Sequence, residues 1–131
     1  MSARQISVVV PVYNEHENIA TCLRGLWAAL SGVEHEILVV YDFDGDTTLG
    51  AIAAMPDPPP SLRLVKNTIG KGAANAIRAG FAAAAGDVVV TTMADLSDPP
   101  EKILELAEKM RSSGAAVVAG SRYMAGGEQF G

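Results

Sequence analysis

Cysteine is nearly missing from this 131-residue chain. Cys22 stands alone, which excludes an internal disulfide framework and fits a reducing compartment. Aromatics make up only 5%, so the core must be built from Val, Ile, Leu and Ala, the side chains of closely packed strands and helices. No apolar run reaches the length of a membrane span, and the opening Met1-Ser2-Ala3-Arg4-Gln5 has no signal-peptide core. Cations are outnumbered by acids; the formal charge of −5 argues against a nucleic-acid or anionic-membrane binder. The expectation is a soluble, cytoplasmic chain. His16 and His35 have no metal-ligand spacing, and no Ser-His-Asp or Cys-His set can be drawn. Neither G-x-G-x-x-G nor G-x-x-x-x-G-K-[ST] occurs, so the standard phosphate cradles are unsupported.

What the chain does have is acids placed just past apolar runs. Val8-Val9-Val10-Pro11-Val12-Tyr13-Asn14-Glu15, Ile37-Leu38-Val39-Val40-Tyr41-Asp42-Phe43-Asp44 and Val88-Val89-Val90-Thr91-Thr92-Met93-Ala94-Asp95 each start β-branched and end acidic. Such runs read as strands buried on both faces of a parallel sheet. Strand-like segments centre near Val9, Leu38, Leu64, Val89 and Val118, with helical patterns between them. The alternation predicts an α/β, doubly wound, mainly parallel sheet with helices on both faces, in a single domain over residues 1–131. Ligands of open α/β sheets bind beyond the carboxyl ends of the strands, where these acids fall.

The intervening helices carry their own signals. Ile19, Cys22, Leu23, Leu26, Trp27 and Leu30 form one apolar stripe, ended by Ser31-Gly32. Thr47 to Met55 reads as a short helix capped by Asp46 or Thr47, stopped by Pro56-Asp57-Pro58-Pro59-Pro60. Lys71 to Ala85 is alanine-rich and suited to lie close on the sheet. Asp98-Pro99-Pro100-Glu101 opens the last helix, with Asp98 as cap. The tail Gly126-Gly127-Glu128-Gln129-Phe130-Gly131 has no stop signal, so the domain is expected to be cut from something longer.

Each candidate motif has a plain alternative. Pro11 halts pairing, Tyr13 offers a flat face, and Asn14 and Glu15 supply polar contacts; equally, Asn14 suits a helix cap and Glu15 a first-turn acid. Asp42, Asp44 and Asp46 are spaced like the start of a calcium loop, but the residue eleven past Asp42 is Ala53, not an acid. Asp42 and Asp44, at alternate positions, are expected to point the same way. Gly70-Lys71-Gly72 sets a lysine and free amides at a helix start, an anion site or a plain turn. Asp95 is the candidate ligand for a hard cation, which needs few carboxylates when its substrate brings phosphates. Arg122, in Gly120-Ser121-Arg122-Tyr123, is a fork for phosphate or carboxylate.

Taken together and in this order, these stretches resemble the family 2 glycosyltransferases, inverting nucleotide-sugar enzymes with the Rossmann-like GT-A fold. The nearest likeness is to the polyprenyl-phosphate (dolichol-phosphate-like) mannose and glucose synthase branch. The resemblance implies a donor pocket formed by Pro11, Tyr13, Asn14, Glu15, Asp42, Asp44, Lys71, Ala94 and Asp95. It implies Mg²⁺ or Mn²⁺ on Asp95, the second acid of a D-x-D motif, with Ser97 near the metal shell. Asp95 and Arg122 would be the catalytic residues. The partners implied are a UDP- or GDP-sugar and a polyprenyl-phosphate acceptor, with no nucleic acid, at the inner face of a membrane.

Two departures stand out. Met93 occupies the place of the first D-x-D acid, and a thioether is a poor ligand for a hard cation. The acidic turn reads Tyr41-Asp42-Phe43-Asp44-Gly45-Asp46-Thr47-Thr48 in place of D-D-x-S-x-D, so either Asp44 helps to rebuild the metal site or metal dependence is weakened. The competing expectation is a non-catalytic module that binds nucleotides or phosphorylated ligands.

Overall fold

Among the described residues, five Val-, Ile- and Leu-rich segments become strands: β1 (Ile6–Pro11), β2 (His35–Tyr41), β3 (Leu62–Lys66), β4 (Val88–Thr91) and β5 (Val117–Ala119). Four helices alternate with them: α1 (Ile19–Leu30), α2 (Thr47–Ala53), α3 (Ala73–Ala83) and α4 (Pro100–Ser113). The computed structural model describes residues 6–95, 99–113 and 117–119, with side chains over 6–95 and 99–110. All pairings are parallel, in the order β3-β2-β1-β4-β5, with Val9 opposite both Leu38 and Thr91. The order reverses around β1, since β2 and β3 build out on one side and β4 and β5 on the other. Such a reversal leaves a crevice beyond the carboxyl edge.

Helices cover both faces, as the alternation predicts. Ile19, Cys22, Leu23, Leu26 and Leu30 of α1, Ile52 of α2, and Ile103, Ala107 and Met110 of α4 share one core with Val8, Val10, Ile37 and Val39. On the opposite face α3 lays Ala76 and Ala79 on Val9, Leu38 and Val40. Its approach is close enough that a methyl on Gly80 would run into Val9 and Val40, so α3 needs its small residues there. Trp27 departs from the expected stripe: it is 38% exposed and tilts against His35 with ring centroids 5.6 Å apart, at the margin of the buried face.

At the amino edge, away from the acid-bearing rim, a fully buried Glu36 is held by chain donors. Ser7 Oγ and the Ala85 amide both donate to Oε2 at 2.6 Å, and Arg63 reaches Oε1 at 3.3 Å. Buried charge is tolerable when it is paired and hydrogen-bonded in this way. Among the described residues no helix is long and apolar enough to cross a membrane.

Candidate functional site

Main-chain pairing runs one residue past the strands before the loops part. Val12 N donates to Val40 O at 3.0 Å, Thr92 N to Val9 O at 3.0 Å, and Asn67 N to Tyr41 O at 2.7 Å. Pro11 therefore does not end pairing with β2, because Val12 supplies the next donor on that side. Beyond these bonds a pocket of about 570 Å³ opens at the carboxyl edge. One wall comes from β1 and the loop after it, with Pro11, Val12, Tyr13 and Glu15. A second follows β2 with Asp42 and Phe43, and a third is the start of α3 with Lys71, Gly72, Ala73 and Ala76. Met93, past β4, completes the lining.

The first two walls are clasped by their own backbone. Asp46 caps α2 by accepting from Thr48 N at 2.7 Å, and the same Oδ1 accepts from Asn14 N at 3.0 Å. Asn14 Oδ1 returns a bond from Thr47 N at 3.0 Å, and Glu15 N donates to Thr48 Oγ1 at 2.8 Å. Asn14 thus caps α2, whereas the cap position of α1 is Asn18 and α1 has no acid in its first turn. That corrects the reading of Asn14 as the cap, and of Glu15 as a first-turn acid, of the helix they precede. Asn14 holds φ +50°, a left-handed conformation that Asn tolerates better than most residues. Its side chain faces the α2 start and not the pocket.

Asp42 and Asp44 do not point the same way. Alternation holds only within a strand, and β2 ends at Tyr41, so the turn sends the two apart. Asp42 accepts from Asn67 Nδ2 at 2.7 Å and from Gly72 N at 3.3 Å at the pocket wall. Asp44 is 80% exposed and paired with Lys66 at 3.0 Å, outside the lining. The suggestion that Asp44 rebuilds a metal site is therefore not supported by the geometry. Ala94 is also displaced from its expected role: fully buried, it packs into the α1/α4 core.

Tyr13 and Phe43 form an aromatic corner over the pocket, their ring centroids 5.9 Å apart at 52°. Tyr13 is 68% exposed, which leaves a face for a planar ligand. Across from it, Lys71 and the first turn of α3 present positive charge. Gly72, at φ +105°, makes no side-chain cap to that turn, and an uncapped helix start suits an anion. Phe43 and Asn67 were not singled out from the sequence. A large ring amid an acidic turn and an asparagine just past a strand were the signals available.

Asp95 is exposed and follows Met93 of the lining by two residues. Burial pushes the Cys22 thiol from the ordinary 9.0 up to about 12, and the nearby Glu15 and Asp95 carboxylates add to the shift. The folded chain holds this thiol proton more tightly than the unfolded chain does. Its stability contribution is complete below about pH 9 and is lost as pH rises towards 12. The stability gap between the native chain and Cys22→Ala should stay constant up to about pH 9 and narrow above it. Urea midpoints across a pH series check this, and a gap indifferent to pH would refute it.

Among the described residues no three His, Cys, Asp or Glu groups gather into a metal cage. One exposed carboxylate, Asp95, beside the Met93 thioether suits a hard cation that takes most of its ligands from a diphosphate and water. Ser97 and Arg122 lie outside the described residues.

The family model described as Glycosyl transferase family 2 matches residues 7–131. The chain belongs to that family. It is 37% identical over 124 residues to a dolichol-phosphate mannosyltransferase of Pyrococcus furiosus, covering 95% of this chain and 35% of that one. An undecaprenyl-phosphate 4-deoxy-4-formamido-L-arabinose transferase of an Enterobacter species is 40% identical over 108 residues, covering 80% and 33%. The family 2 chain thus spans about a third of the length of these relatives. Among solved structures, a mannosyltransferase of Pyrobaculum calidifontis in complex with GDP-Man and Mn²⁺ matches with a TM-score of 0.58 and 30% identity, over 72% of this chain and 28% of that one. Glucosyl-3-phosphoglycerate synthase of Mycobacterium tuberculosis, with Mn²⁺, UDP and glucosyl-3-phosphoglycerate, matches with a TM-score of 0.66 at 24% identity, over 82% and 39%, and speaks for the fold.

Proposed function

We propose that this family 2 chain is the donor-binding part of an inverting glycosyltransferase that moves a sugar from a UDP- or GDP-sugar to a polyprenyl phosphate. The observation that carries the reading is the pocket at the carboxyl edge, with aromatic Tyr13 and Phe43 on one side and Lys71 with the α3 amides on the other. A ring face suits a base, the Glu15 and Asp42 carboxylates suit base or ribose donors, and Lys71 suits a diphosphate. The volume lies within the range of small-molecule sites. The names of the relatives support the acceptor class, and the Mn²⁺ bound by solved neighbours supports a divalent metal.

Asp95 would hold that Mg²⁺ or Mn²⁺, with Ser97 beside it, and the ion would stabilise the leaving diphosphate as its charge develops. Lys71 and Arg122 would share this work. A lipid phosphate is already an anion near neutral pH and needs no strong general base, so the chain's own task is to orient and neutralise. The reaction would take place on the cytoplasmic side, at the inner face of a membrane.

Calorimetric titration of the native chain with UDP- and GDP-sugars, with and without Mn²⁺, tests this. Binding to one of them that tightens with Mn²⁺ is the expected result. Metal-indifferent binding would favour the non-catalytic module, and absence of binding to both would end the donor-pocket reading.

A further inference from the structure

Asn67 lies just past β3 and is 6% exposed, yet it touches the pocket only through other residues. Its side-chain amide is fully committed. One Nδ2 hydrogen goes to Asp42 Oδ1 at 2.7 Å and the other to Gly70 O, while Oδ1 accepts from Ile69 N at 2.9 Å. Reversing the amide would set nitrogen against the Ile69 N–H, so only this orientation satisfies the network. Asp42 then takes Gly72 N on its other oxygen at 3.3 Å. Asn75 Nδ2 fastens the same loop to Lys71 O at 3.1 Å, and Gly70 lets Asn75 approach, since a methyl there would lie 2.9 Å from Nδ2. Asn67 therefore joins the acid of the second wall to the residues that present cationic and amide groups to the pocket.

We infer that Asn67 is a positioning residue for the diphosphate: it sets the Gly70-Lys71-Gly72 turn against Asp42, so that Lys71 and the α3 amides meet phosphate oxygens. The inference rests on the donor-pocket reading and adds a residue and a division of labour to it. Asn67 lies behind the third wall and serves phosphate recognition, while Tyr13 and Phe43 on the first two walls serve the base. A preset turn matters because an ordering cost met in folding is not met again on binding.

The division can be measured. Native chain, Asn67→Ala and Asn67→Asp are titrated with UDP and uridine, or with GDP and guanosine, whichever base the native chain takes. Asn67→Asp keeps the shape and the acceptor for Ile69 N, but removes both donors and sets a carboxylate against Asp42. It therefore serves if the alanine variant fails to fold. The expected result is a drop of about 10-fold or more for the diphosphate and less than about 3-fold for the nucleoside, because Asp42 stays on its own loop while the Gly70-Lys71-Gly72 turn loses its tie to it. Amide exchange at Gly72 should quicken in the variants while exchange within β1 and β2 stays unchanged. Equal losses for diphosphate and nucleoside, or no loss for either, would overturn the inference and leave the pocket standing. A native chain that binds neither compound would overturn the pocket and this inference with it.

Discussion

Asp95→Ala is expected to lose about 10- to 100-fold in sugar-nucleotide affinity with Mn²⁺ present and to change little without it. A unit charge pair at about 4 Å is worth on the order of 4 kcal/mol at an effective dielectric of roughly 20, and the exposure of Asp95 discounts that figure. Met93→Asp should act in the opposite direction. Met93 lines the pocket two residues before Asp95, so a carboxylate there adds a hard ligand where a thioether stands. The Met93→Asp chain should bind Mn²⁺ alone more tightly than the native chain does. Without metal it should bind the diphosphate more weakly, because another anion joins Glu15 and Asp42 in the lining. Titrations with Mn²⁺ alone, nucleotide alone and both together separate these effects. If both variants bind like the native chain in all three, the metal is not held at Asp95.

Asp46→Ala should cost the fold about 2–4 kcal/mol. The change removes the α2 cap and strips Asn14 N of its acceptor in one step. Part of the loss is offset, because Asp46 Oδ2 is buried with no partner among the described residues and its desolvation penalty disappears with the carboxylate. Asn14→Gly and Asn14→Ala resolve the other half of the clasp. Glycine keeps the left-handed backbone and loses only the bond to Thr47 N, whereas alanine loses both. Alanine should therefore be less stable than glycine by about 1 kcal/mol. Denaturant midpoints check both orders of stability. A fully stable Asp46→Ala chain would show that the clasp holds nothing in place.

Strand pattern was legible because a buried parallel strand must be apolar on both faces, and Val8–Val10, Ile37–Val40 and Val88–Val90 can be little else. The acids that follow them were legible for the same reason: once such a strand stops, the next polar residues lie at its carboxyl edge. Glu15, Asp42, Lys71 and Met93 accordingly share one lining, and Asp95 follows Met93 by two residues. Periodicity ended where strands ended. It therefore misjudged Asp44, which pairs with Lys66; the resemblance misplaced Ala94, which is buried in the core.

The resemblance carried the family assignment, because motifs in a fixed order along nearly the whole chain constrain far more than any one of them. It did not reveal which polar groups serve the ligand and which serve the chain. Asn14 caps a helix that starts 33 residues later, Asp46 joins two loops, and Asn67 bonds to an acid 25 residues earlier. Glu36 is tied to an amide 49 residues on. A hydrogen bond has a reach of about 3 Å and no preference for sequence distance, so no local pattern foretells these partners. Local composition selects strand, helix and turn through steric and burial preferences that act over a few residues. The partners of each polar atom, and with them the shape of the pocket, are set when the sheet brings distant loops together.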